Sequence, residues 1–264
     1  ARKYASQKGK PGGVIVTLVN SFHGRTMTTL TATGQENMHV DFAPFMPGFV
    51  YAKAGDLADT LQKLDGAVAV MMEMIQGEGG VNMLDKDYVA AVADYCHEHD
   101  ILIIDDEVQA GAGRTGTFLC CEHFGLKPDI VTMAKGLGGG LPIGAVVLSE
   151  KVQAVFSPGS HGSTFGGNPI VCAGALAVLG QMDDAFLQSV THKGEKMKKA
   201  LLGMPGVTQV SGCGLMLGIS LEKAEAKAVV AKCLEKGLIV LTAKEKVRLL
   251  PPLNITEQQI DAGL

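Results

Sequence analysis

The chain has 264 residues, 47% of them apolar, with 34 glycines and a formal net charge of −4. This length and composition predict a globular protein with one large domain or two, and they exclude a disordered chain. The slightly acidic balance argues against nucleic acid and anionic membranes as partners, and no apolar run is long enough to predict a membrane span.

The two ends of the chain resemble interrupted elements. The stretch ARKYASQKGKPGG (1 to 13) predicts the basic last turns of a helix that Gly9 and Pro11 terminate. At the other end, Thr256 and Gln259 have the spacing of a capping box, before a helix of only about two turns. We therefore expect a fragment of a longer protein, truncated at both ends.

Short apolar runs rich in Val and Ile predict strands that are buried on both faces. These runs are GVIVTLV (13 to 19), GAVAVMMEMI (66 to 75), ILIID (101 to 105), DIVTMA (129 to 134) and IGAVVLS (143 to 149). The stretch DKDYVAAVADYCHEHD (85 to 100) has the apolar spacing of a helix, with Asp85 as its N-cap. This alternation predicts an α/β fold with a mostly parallel central sheet flanked by helices, in which ligands bind at the carboxyl ends of the strands.

The pattern changes near residue 183. A polar helix dotted with lysines is followed by VTQVSGCGLMLGISL, by a helix from 222 to 236, and by GLIVLTAKEKVRLLPPL. This order predicts a smaller α+β unit. We expect a large domain over residues 1–182, incomplete at its N-terminus, and a small C-terminal domain over residues 183–264, also incomplete.

The six cysteines, at positions 96, 120, 121, 172, 213 and 233, include no CxxC pair and no metal-ligand spacing. They are interpreted as reduced thiols that pack as small hydrophobic side chains, and no metal is expected. This usage favours a cytoplasmic location.

Two ionisable residues follow neighbouring predicted strands. Asp106 comes at the end of ILIID, and Lys135 lies just past the next strand, in the glycine-rich TMAKGLGGGLPIG (132 to 144). Taken alone, Asp106 is as well explained as a helix cap or surface ion pair, and Lys135 as a solvated loop lysine. Together they match a known chemical pairing, in which a lysine forms a Schiff base and an acid keeps a pyridinium nitrogen protonated.

Six motifs, in chain order, resemble the signatures of the class III, or ω-, aminotransferases, which use pyridoxal 5′-phosphate. They are FHGRT (22 to 26), EMIQGEGG (73 to 80), DDEVQAGAGRTG (105 to 116), MAKGLGGGLPIGA (133 to 145), HGSTFGGNP (161 to 169) and VRLLPPL (247 to 253). Within that family the acetylornithine and ornithine aminotransferase group is the most similar. The resemblance covers essentially the whole chain, and it implies the fold-type I transferase architecture and a homodimer with active sites at the subunit interface.

The resemblance also implies which residues carry the chemistry. Lys135 would bind the cofactor covalently and then carry the proton between the substrate carbon and the C4′ atom of the cofactor. Asp106 would pair with the pyridine nitrogen, and its neighbour Glu107 is counted among the cofactor-binding residues. The family's small-residue turn for the cofactor phosphate would lie upstream of residue 1.

The remaining cofactor contacts implied by the resemblance lie in three other motifs. Phe22 would stack on the ring, where the plainer alternative is a core aromatic. Gln109 would bond the ring 3-hydroxyl, and Thr164 would reach the cofactor phosphate of the neighbouring subunit. Ser163 would lie beside it, on the substrate side. His23 and His161 are assigned structural roles.

For the substrate, the resemblance implies a switch between two binding modes. Arg25 would clamp a substrate carboxylate with its bidentate guanidinium. Arg248 would hold the α-carboxylate of 2-oxoglutarate, and Glu78 would pair with Arg248 until that keto acid arrives. The alternative interpretation is an ordinary Glu78–Arg248 ion pair.

The function implied is transfer of the terminal side-chain amine of N-acetylornithine, in arginine biosynthesis, to 2-oxoglutarate. Ornithine, succinylornithine and 4-aminobutyrate are alternative donors, and a pyridoxal-phosphate aminomutase and a decarboxylase are rival enzymes. Two further alternatives are a nucleotide-binding α/β protein and an inactive binding protein. GLGGGLPIG does not open a helix as GxGxxG, which disfavours the former, and Lys135, Asp106 and Arg25 together disfavour the latter.

Overall fold

The computed structural model describes residues 1–264 and contains eight α-helices. They are α1 (Arg2–Gln7), α2 (Met27–Ala32), α3 (Leu57–Leu64), α4 (Lys86–Glu98), α5 (Pro169–Leu179), α6 (Asp184–Leu202), α7 (Ala226–Glu235) and α8 (Glu257–Gly263). The predicted terminal helices are confirmed: Gly9 follows α1 with φ of +79°, and the Thr256–Gln259 capping box opens α8. Helix α4 begins as predicted, because the Asp85 carboxylate accepts hydrogen bonds from two amides of its first turn.

The strands form three sheets. They are β1 (Ile15–Leu18), β2 (Phe49–Ala52), β3 (Ala69–Met72), β4 (Ile75–Gln76), β5 (Asn82–Met83), β6 (Leu102–Asp106), β7 (Ile130–Met133), β8 (Ala145–Leu148), β9 (Val207–Cys213), β10 (Met216–Leu221), β11 (Leu241–Ala243) and β12 (Lys246–Leu249). The large sheet has the order β2-β1-β3-β6-β7-β8, and only its edge strand β8 runs antiparallel, against β7. The expected α/β fold with a mostly parallel sheet is therefore confirmed.

The large sheet differs from the prediction at two strands: β2 was not predicted, and the predicted strand from 66 to 75 is divided. Strand β2 was not predicted because its sequence FVYA is short, follows a long irregular segment and is only partly buried. The predicted strand from 66 to 75 is two strands, β3 and β4, with Glu73 and Met74 between them. That break turns the chain out of the sheet and places the QGEGG loop above its carboxyl edge.

The central strands owe their position to burial on both faces. Val16, Val70 and Ile103 of β1, β3 and β6 are fully buried in the main hydrophobic core, which α4 covers with Val92 and Cys96. A polar side chain at the end of such a strand can lie only at the sheet edge, which is where the chain supplies its acids.

The second half of the chain carries its own sheet, of order β11-β12-β10-β9, in which every pairing is antiparallel. Helices α6 and α7 pack on it around a separate hydrophobic cluster that contains Val190, Leu217 and Val247. The α+β character expected after residue 183 is therefore seen. The boundary between residues 182 and 183 stays a prediction, although it falls at the start of α6.

No single helix is long and apolar enough to cross a membrane. Helices α5 and α6 meet that criterion only as a pair, by length and composition, and they are bent by 72° at the break between them.

Candidate active site

Asp106 is the last residue of β6, and its carboxylate lies at the carboxyl edge of the large sheet with 5% of its surface exposed. Its Oδ1 accepts hydrogen bonds from Thr132 Oγ1 at 3.0 Å and from the Val108 amide at 3.1 Å, and its Oδ2 lies 2.7 Å from His23 Nδ1. An ionised carboxylate offers about four acceptor positions. One position on Oδ2 therefore remains for a further donor.

His23 is the side chain that completes this carboxylate's surroundings. Its imidazole is fully buried, and its backbone N–H donates to Thr33 Oγ1 at 3.0 Å. Because an ionised Asp106 only accepts, the His23 nitrogen that faces it carries the proton. The structural role expected of His23 is thus a specific one, which is to orient Asp106.

Lys135 begins a short 3₁₀ turn (Lys135–Gly138) directly after β7, which brings it to the same sheet edge as Asp106. Its φ of +50° lies in the left-handed region, which costs a residue other than glycine roughly 1–2 kcal/mol. Lys135 is open to the solvent of the cavity, yet partial burial lowers the pKa of its amine, while the negative charges of Asp106 and Glu73 act in the opposite direction. A lowered pKa gives the amine more of its neutral, nucleophilic form.

Glu78 and Arg248 meet across the two sheets. Glu78 lies in the loop after β4, Arg248 lies on β12, and Arg248 Nη1 donates to Glu78 Oε1 at 2.9 Å. The Arg248 side chain is 7% exposed and that of Glu78 is 31% exposed. Because the glutamate is the more accessible partner, a competing carboxylate has a path to the guanidinium.

Four of the predicted residues line one cavity of about 630 Å³: Glu78, Gln109, Lys135 and Arg248. Arg114 lines it as well and donates to the backbone carbonyls of Leu215 and Pro251, which belong to the second half of the chain. These bonds fix the VRLLPPL segment against the large sheet, so the cavity lies between the two sheets.

Phe22 and Arg25 follow β1 on the FHGRT segment, and neither lines this cavity. The Phe22 amide donates to the buried carboxylate of Glu73 at 2.8 Å, and the Arg25 guanidinium carbon lies 5.5 Å from the centre of the Phe22 ring. Arg25 is exposed and has no carboxylate partner. The sequence analysis assigned no role to Glu73. Its position directly after a buried strand indicates that its carboxylate needs a hydrogen-bond donor.

The structure does not bring Ser163 and Thr164 to this cavity. Both are exposed, on the turn that precedes α5, and neither lines the cavity. This exposed placement leaves both side chains accessible to a neighbouring subunit. His161, from the same loop, stacks on Phe156 with ring centres 5.5 Å apart.

Glu107 is directed to a neighbour other than the cavity. Its Oε1 accepts from the Cys121 amide at 2.8 Å, and it does not line the cavity. Side chains alternate along an extended chain, so Asp105 and Glu107 face away from the side that Asp106 occupies. The structure therefore gives no support to direct cofactor binding by Glu107.

Asp105 and Glu107 instead form a buried group of acids with the Cys121 thiol. Burial raises the pKa of Asp105 well above its ordinary value, and the charge of Glu107 adds to that effect. Two buried carboxyl groups that face each other are stable when they share one proton, which also pairs oxygens that otherwise have no partner.

Comparison with known proteins places the whole chain in one family. The model of the aminotransferase class-III family matches residues 1–264. Acetylornithine aminotransferase from Haemophilus ducreyi is 49% identical over 268 residues, which is 100% of this chain and 68% of that protein. Acetylornithine aminotransferase from Aquifex aeolicus is 47% identical over 266 residues, which is 100% of this chain and 70% of that protein.

Solved structures give the same result. Ornithine aminotransferase from Toxoplasma gondii superposes with a TM-score of 0.92 at 32% identity, over 99% of this chain and 66% of that one. N-acetylornithine aminotransferase from Stenotrophomonas maltophilia superposes with a TM-score of 0.84 at 33% identity, over 99% of this chain and 67% of that one.

The chain thus spans about two thirds of the length of these relatives. Within that span the chain has the same fold. Lys135 and the Glu78–Arg248 pair line one cavity, and Asp106 ends the strand next to the one that Lys135 follows. The chain belongs to the class-III aminotransferases, a family of enzymes that depend on pyridoxal 5′-phosphate.

Proposed function

We propose that the protein containing this chain transfers the terminal side-chain amine of N-acetylornithine to 2-oxoglutarate. The donor leaves as its semialdehyde and the acceptor leaves as glutamate, so that atoms and electrons balance without a further reactant. The observation that supports this most directly is that Lys135 and the Glu78–Arg248 pair line one cavity, while Asp106 ends the strand beside the one that Lys135 follows. The choice of donor rests on relatives that are 44–49% identical and carry the name acetylornithine aminotransferase.

The residues present suit pyridoxal 5′-phosphate. Asp106 keeps one acceptor position on Oδ2 after its three hydrogen bonds, which suits the protonated nitrogen of a pyridine ring. When bound, the cofactor supplies an electron sink for the charge that develops when the substrate loses a proton. Phe22 would stack on the ring, and Gln109 would donate to its 3-oxygen.

Lys135 has two tasks in this proposal. Its amine holds the cofactor between turnovers, for which the lowered pKa is favourable. Once the donor has taken its place, the freed Lys135 Nζ would accept the proton from the donor carbon that bears the amine, and it would return that proton on the cofactor side. Its position directly after β7 lies beside the end of β6, where Asp106 is located.

The cations of the site divide the work of binding two unlike substrates. Arg25, exposed and free of a carboxylate partner, would hold the carboxylate of N-acetylornithine that is remote from the reacting amine. While this donor is bound, Glu78 neutralises Arg248. When 2-oxoglutarate enters, its α-carboxylate takes the place of Glu78 on the guanidinium.

We further propose a homodimer whose subunits complete each other's sites. Phe165, Ile170 and Leu176 expose 81%, 70% and 68% of their surfaces on the turn before α5 and on α5 itself. An apolar surface of this kind favours a protein partner. A second copy there would cover these side chains and bring Thr164 to the cofactor phosphate, with Ser163 beside it.

Incubation of the intact protein with N-acetylornithine, 2-oxoglutarate and pyridoxal phosphate tests the activity. Glutamate should form in a one-to-one ratio with the semialdehyde. Parallel reactions with ornithine, succinylornithine and 4-aminobutyrate rank the donors by kcat/KM. A protein that makes no glutamate from any of these donors is not the proposed transaminase, and one that prefers ornithine shows that the donor is wrong.

A further inference from the structure

Glu73 is a buried acid, 2% exposed, in the two-residue break between β3 and β4. It has no role in the chemistry described above, yet both of its oxygens are occupied. Oε2 accepts from the Phe22 amide at 2.8 Å, and Oε1 accepts from Gln109 Nε2 at 3.3 Å. One carboxyl group therefore contacts both Phe22 and Gln109, which are 87 positions apart in the chain. Both residues are proposed cofactor contacts.

The contact with Gln109 decides which atom of its side-chain amide faces the cavity. An amide nitrogen has two N–H groups, and Glu73 takes one of them, which leaves the other for the ring 3-oxygen. The amide oxygen points to Gly77, where an added Cβ would lie 2.6 Å from Gln109 Oε1. Glu73 and the Gly77 backbone thus confine the amide from two sides.

The contact with Phe22 fixes the backbone of the stacking residue. A strand end followed by a loop leaves amides without partners, and Glu73 satisfies this one from below the sheet edge. The next residue, His23, is held by Thr33 through its own amide and by Asp106 through its ring. The ring of Phe22 is therefore attached to a segment with few remaining degrees of freedom.

The surroundings of Glu73 do not suit a merely structural ion pair, because no lysine or arginine lies within salt-bridge distance of it. Burial raises the pKa of Glu73 well above its ordinary value, and the nearby charge of Asp106 raises it further, while the Phe22 amide and Lys135 oppose the shift. A carboxyl group held against this cost, without a cation, is retained for its two acceptor oxygens.

We propose that Glu73 is a positioning residue that sets two cofactor contacts at once: the stacking face of Phe22 and the N–H that Gln109 directs to the ring 3-oxygen. This inference rests on the proposed function, since it concerns pyridoxal phosphate bound in that cavity. We call the Glu73–Phe22 contact the Phe22 arm and the Glu73–Gln109 contact the Gln109 arm. The proposal predicts that both arms affect the affinity for the cofactor, and that only the Gln109 arm affects its absorption spectrum.

The test compares Glu73→Gln with Glu98→Gln, an exposed glutamate at the end of α4, in the intact protein. In Glu73→Gln an amide N–H faces Gln109 Nε2, so two donors oppose each other and the Gln109 amide must turn away. The Kd for pyridoxal phosphate should rise about tenfold to a hundredfold. The pH midpoint of the bound cofactor's visible absorption should rise by about one unit, because the 3-oxygen loses a donor.

Further variants separate the arms and guard against a folding defect. In Gly77→Ala the added Cβ would meet Gln109 Oε1 at 2.6 Å and the flexible end of Met216 at 2.7 Å, but not Glu73. It should displace the Gln109 amide and shift the absorption midpoint in the same direction, and Met216→Ala in the Gly77→Ala background relieves the second contact as a control.

In a Gln109→Leu background, Glu73→Gln should leave the midpoint and the Kd nearly unchanged, because its remaining side-chain oxygen still accepts from the Phe22 amide. Glu73→Leu in the same background removes that acceptor, so it should weaken cofactor binding and leave the midpoint unchanged. Melting temperatures of the cofactor-free variants identify any variant that is unfolded. If Glu73→Gln is unfolded, the absorption midpoint of Gly77→Ala becomes the decisive measurement.

The outcomes distinguish this inference from the proposed function. If the wild type binds the cofactor and forms glutamate while Glu73→Gln keeps both the Kd and the midpoint of the Glu98→Gln control, Glu73 has no positioning role. An unchanged midpoint in Gly77→Ala overturns the Gln109 arm by itself. A wild-type protein that neither binds pyridoxal phosphate nor forms glutamate overturns the proposed function, and this inference with it.

Discussion

His23 Nδ1 lies 2.7 Å from Asp106 Oδ2, although 83 positions separate the two residues in the chain. Asp106 ends a central strand, whereas His23 belongs to the segment that follows β1, and the parallel arrangement of β1, β3 and β6 brings them to one edge. Because Thr132 and the Val108 amide saturate the other oxygen, His23 determines where the free acceptor position of Asp106 points.

Removal of the imidazole should therefore impair the site without unfolding it. A hydrogen bond to a charged group contributes about 1.5–3 kcal/mol, so His23→Ala should lower kcat/KM by roughly tenfold to a hundredfold. His23→Asn places an amide N–H near the position of Nδ1 and should recover part of that loss. Steady-state kinetics and cofactor titration of both variants provide the measurement, and equal defects in the two would show that the contact with Asp106 is unimportant.

Asp106 itself should be far less tolerant of change. Asp106→Asn keeps the shape but removes the charge that would keep a pyridine nitrogen protonated. We expect kcat to fall on the order of a thousandfold or more, with a much smaller change in the KM of the donor. Single-turnover kinetics with N-acetylornithine isolate the proton-removal step. A variant with nearly normal kcat would contradict the proposed role.

Lys135→Ala should abolish both transamination and the covalent link to the cofactor that borohydride fixes, because no other amine of the cavity can replace it. A native rate in this variant would show that the lysine is misassigned. Mass spectrometry of the reduced wild-type protein should find the cofactor on the peptide that contains residue 135.

The lowered pKa of Lys135 has its own consequence. A lysine that loses its proton more easily reacts with aldehydes at lower pH, so its reaction rate in the cofactor-free protein should rise with a midpoint below the ordinary lysine value of 10.5. Exposed Lys86, at the start of α4, is a suitable comparison. Stopped-flow measurement of aldehyde addition against pH checks the difference, and coincident midpoints would refute the effect of burial.

The sequence predicted the parts of this site that depend on local pattern. Strand β6 and the loop after β7 could be placed from their apolar runs and glycines, and Asp106 and Lys135 followed from their positions at the strand ends. The roles of His23 and Glu73 could not be predicted in this way, since each depends on a partner that is distant in sequence. A single sequence does not specify such pairings.

The surroundings of Glu107 were not predictable from the motif for a different reason. Three successive acids in DDEVQ share a motif, but the alternation of side chains along an extended chain separates them. The Asp106 carboxylate contacts His23 and Thr132, while Glu107 accepts from the Cys121 amide. Strand β2 was not predicted because three of its four residues are only partly buried, so its sequence lacks the apolar run of a buried strand.

The Glu78–Arg248 pair makes the proposed choice of substrate measurable. With Glu78 present, the guanidinium of Arg248 is neutralised while the terminal-amine donor binds, and an α-carboxylate must displace Glu78 to reach it. Glu78→Ala should therefore improve the use of glutamate as a donor relative to N-acetylornithine. Arg248→Ala should chiefly raise the KM for 2-oxoglutarate, by roughly tenfold or more, since a charge-assisted contact to the carboxylate is lost.

An ordinary ion pair would behave otherwise. If Glu78 and Arg248 only join the two sheets, each single variant should impair both half-reactions equally, and the ratio of kcat/KM for the two donors should not change. Glu78→Gln serves as the matched control, because it keeps a hydrogen bond to Arg248 while removing the neutralising charge. On the switch hypothesis this variant resembles Glu78→Ala in its donor preference, and it keeps the wild-type melting temperature. On the structural hypothesis Glu78→Gln resembles the wild type in both donor preference and melting temperature. The ratio of half-reaction rates, measured separately with each donor, decides between the two hypotheses.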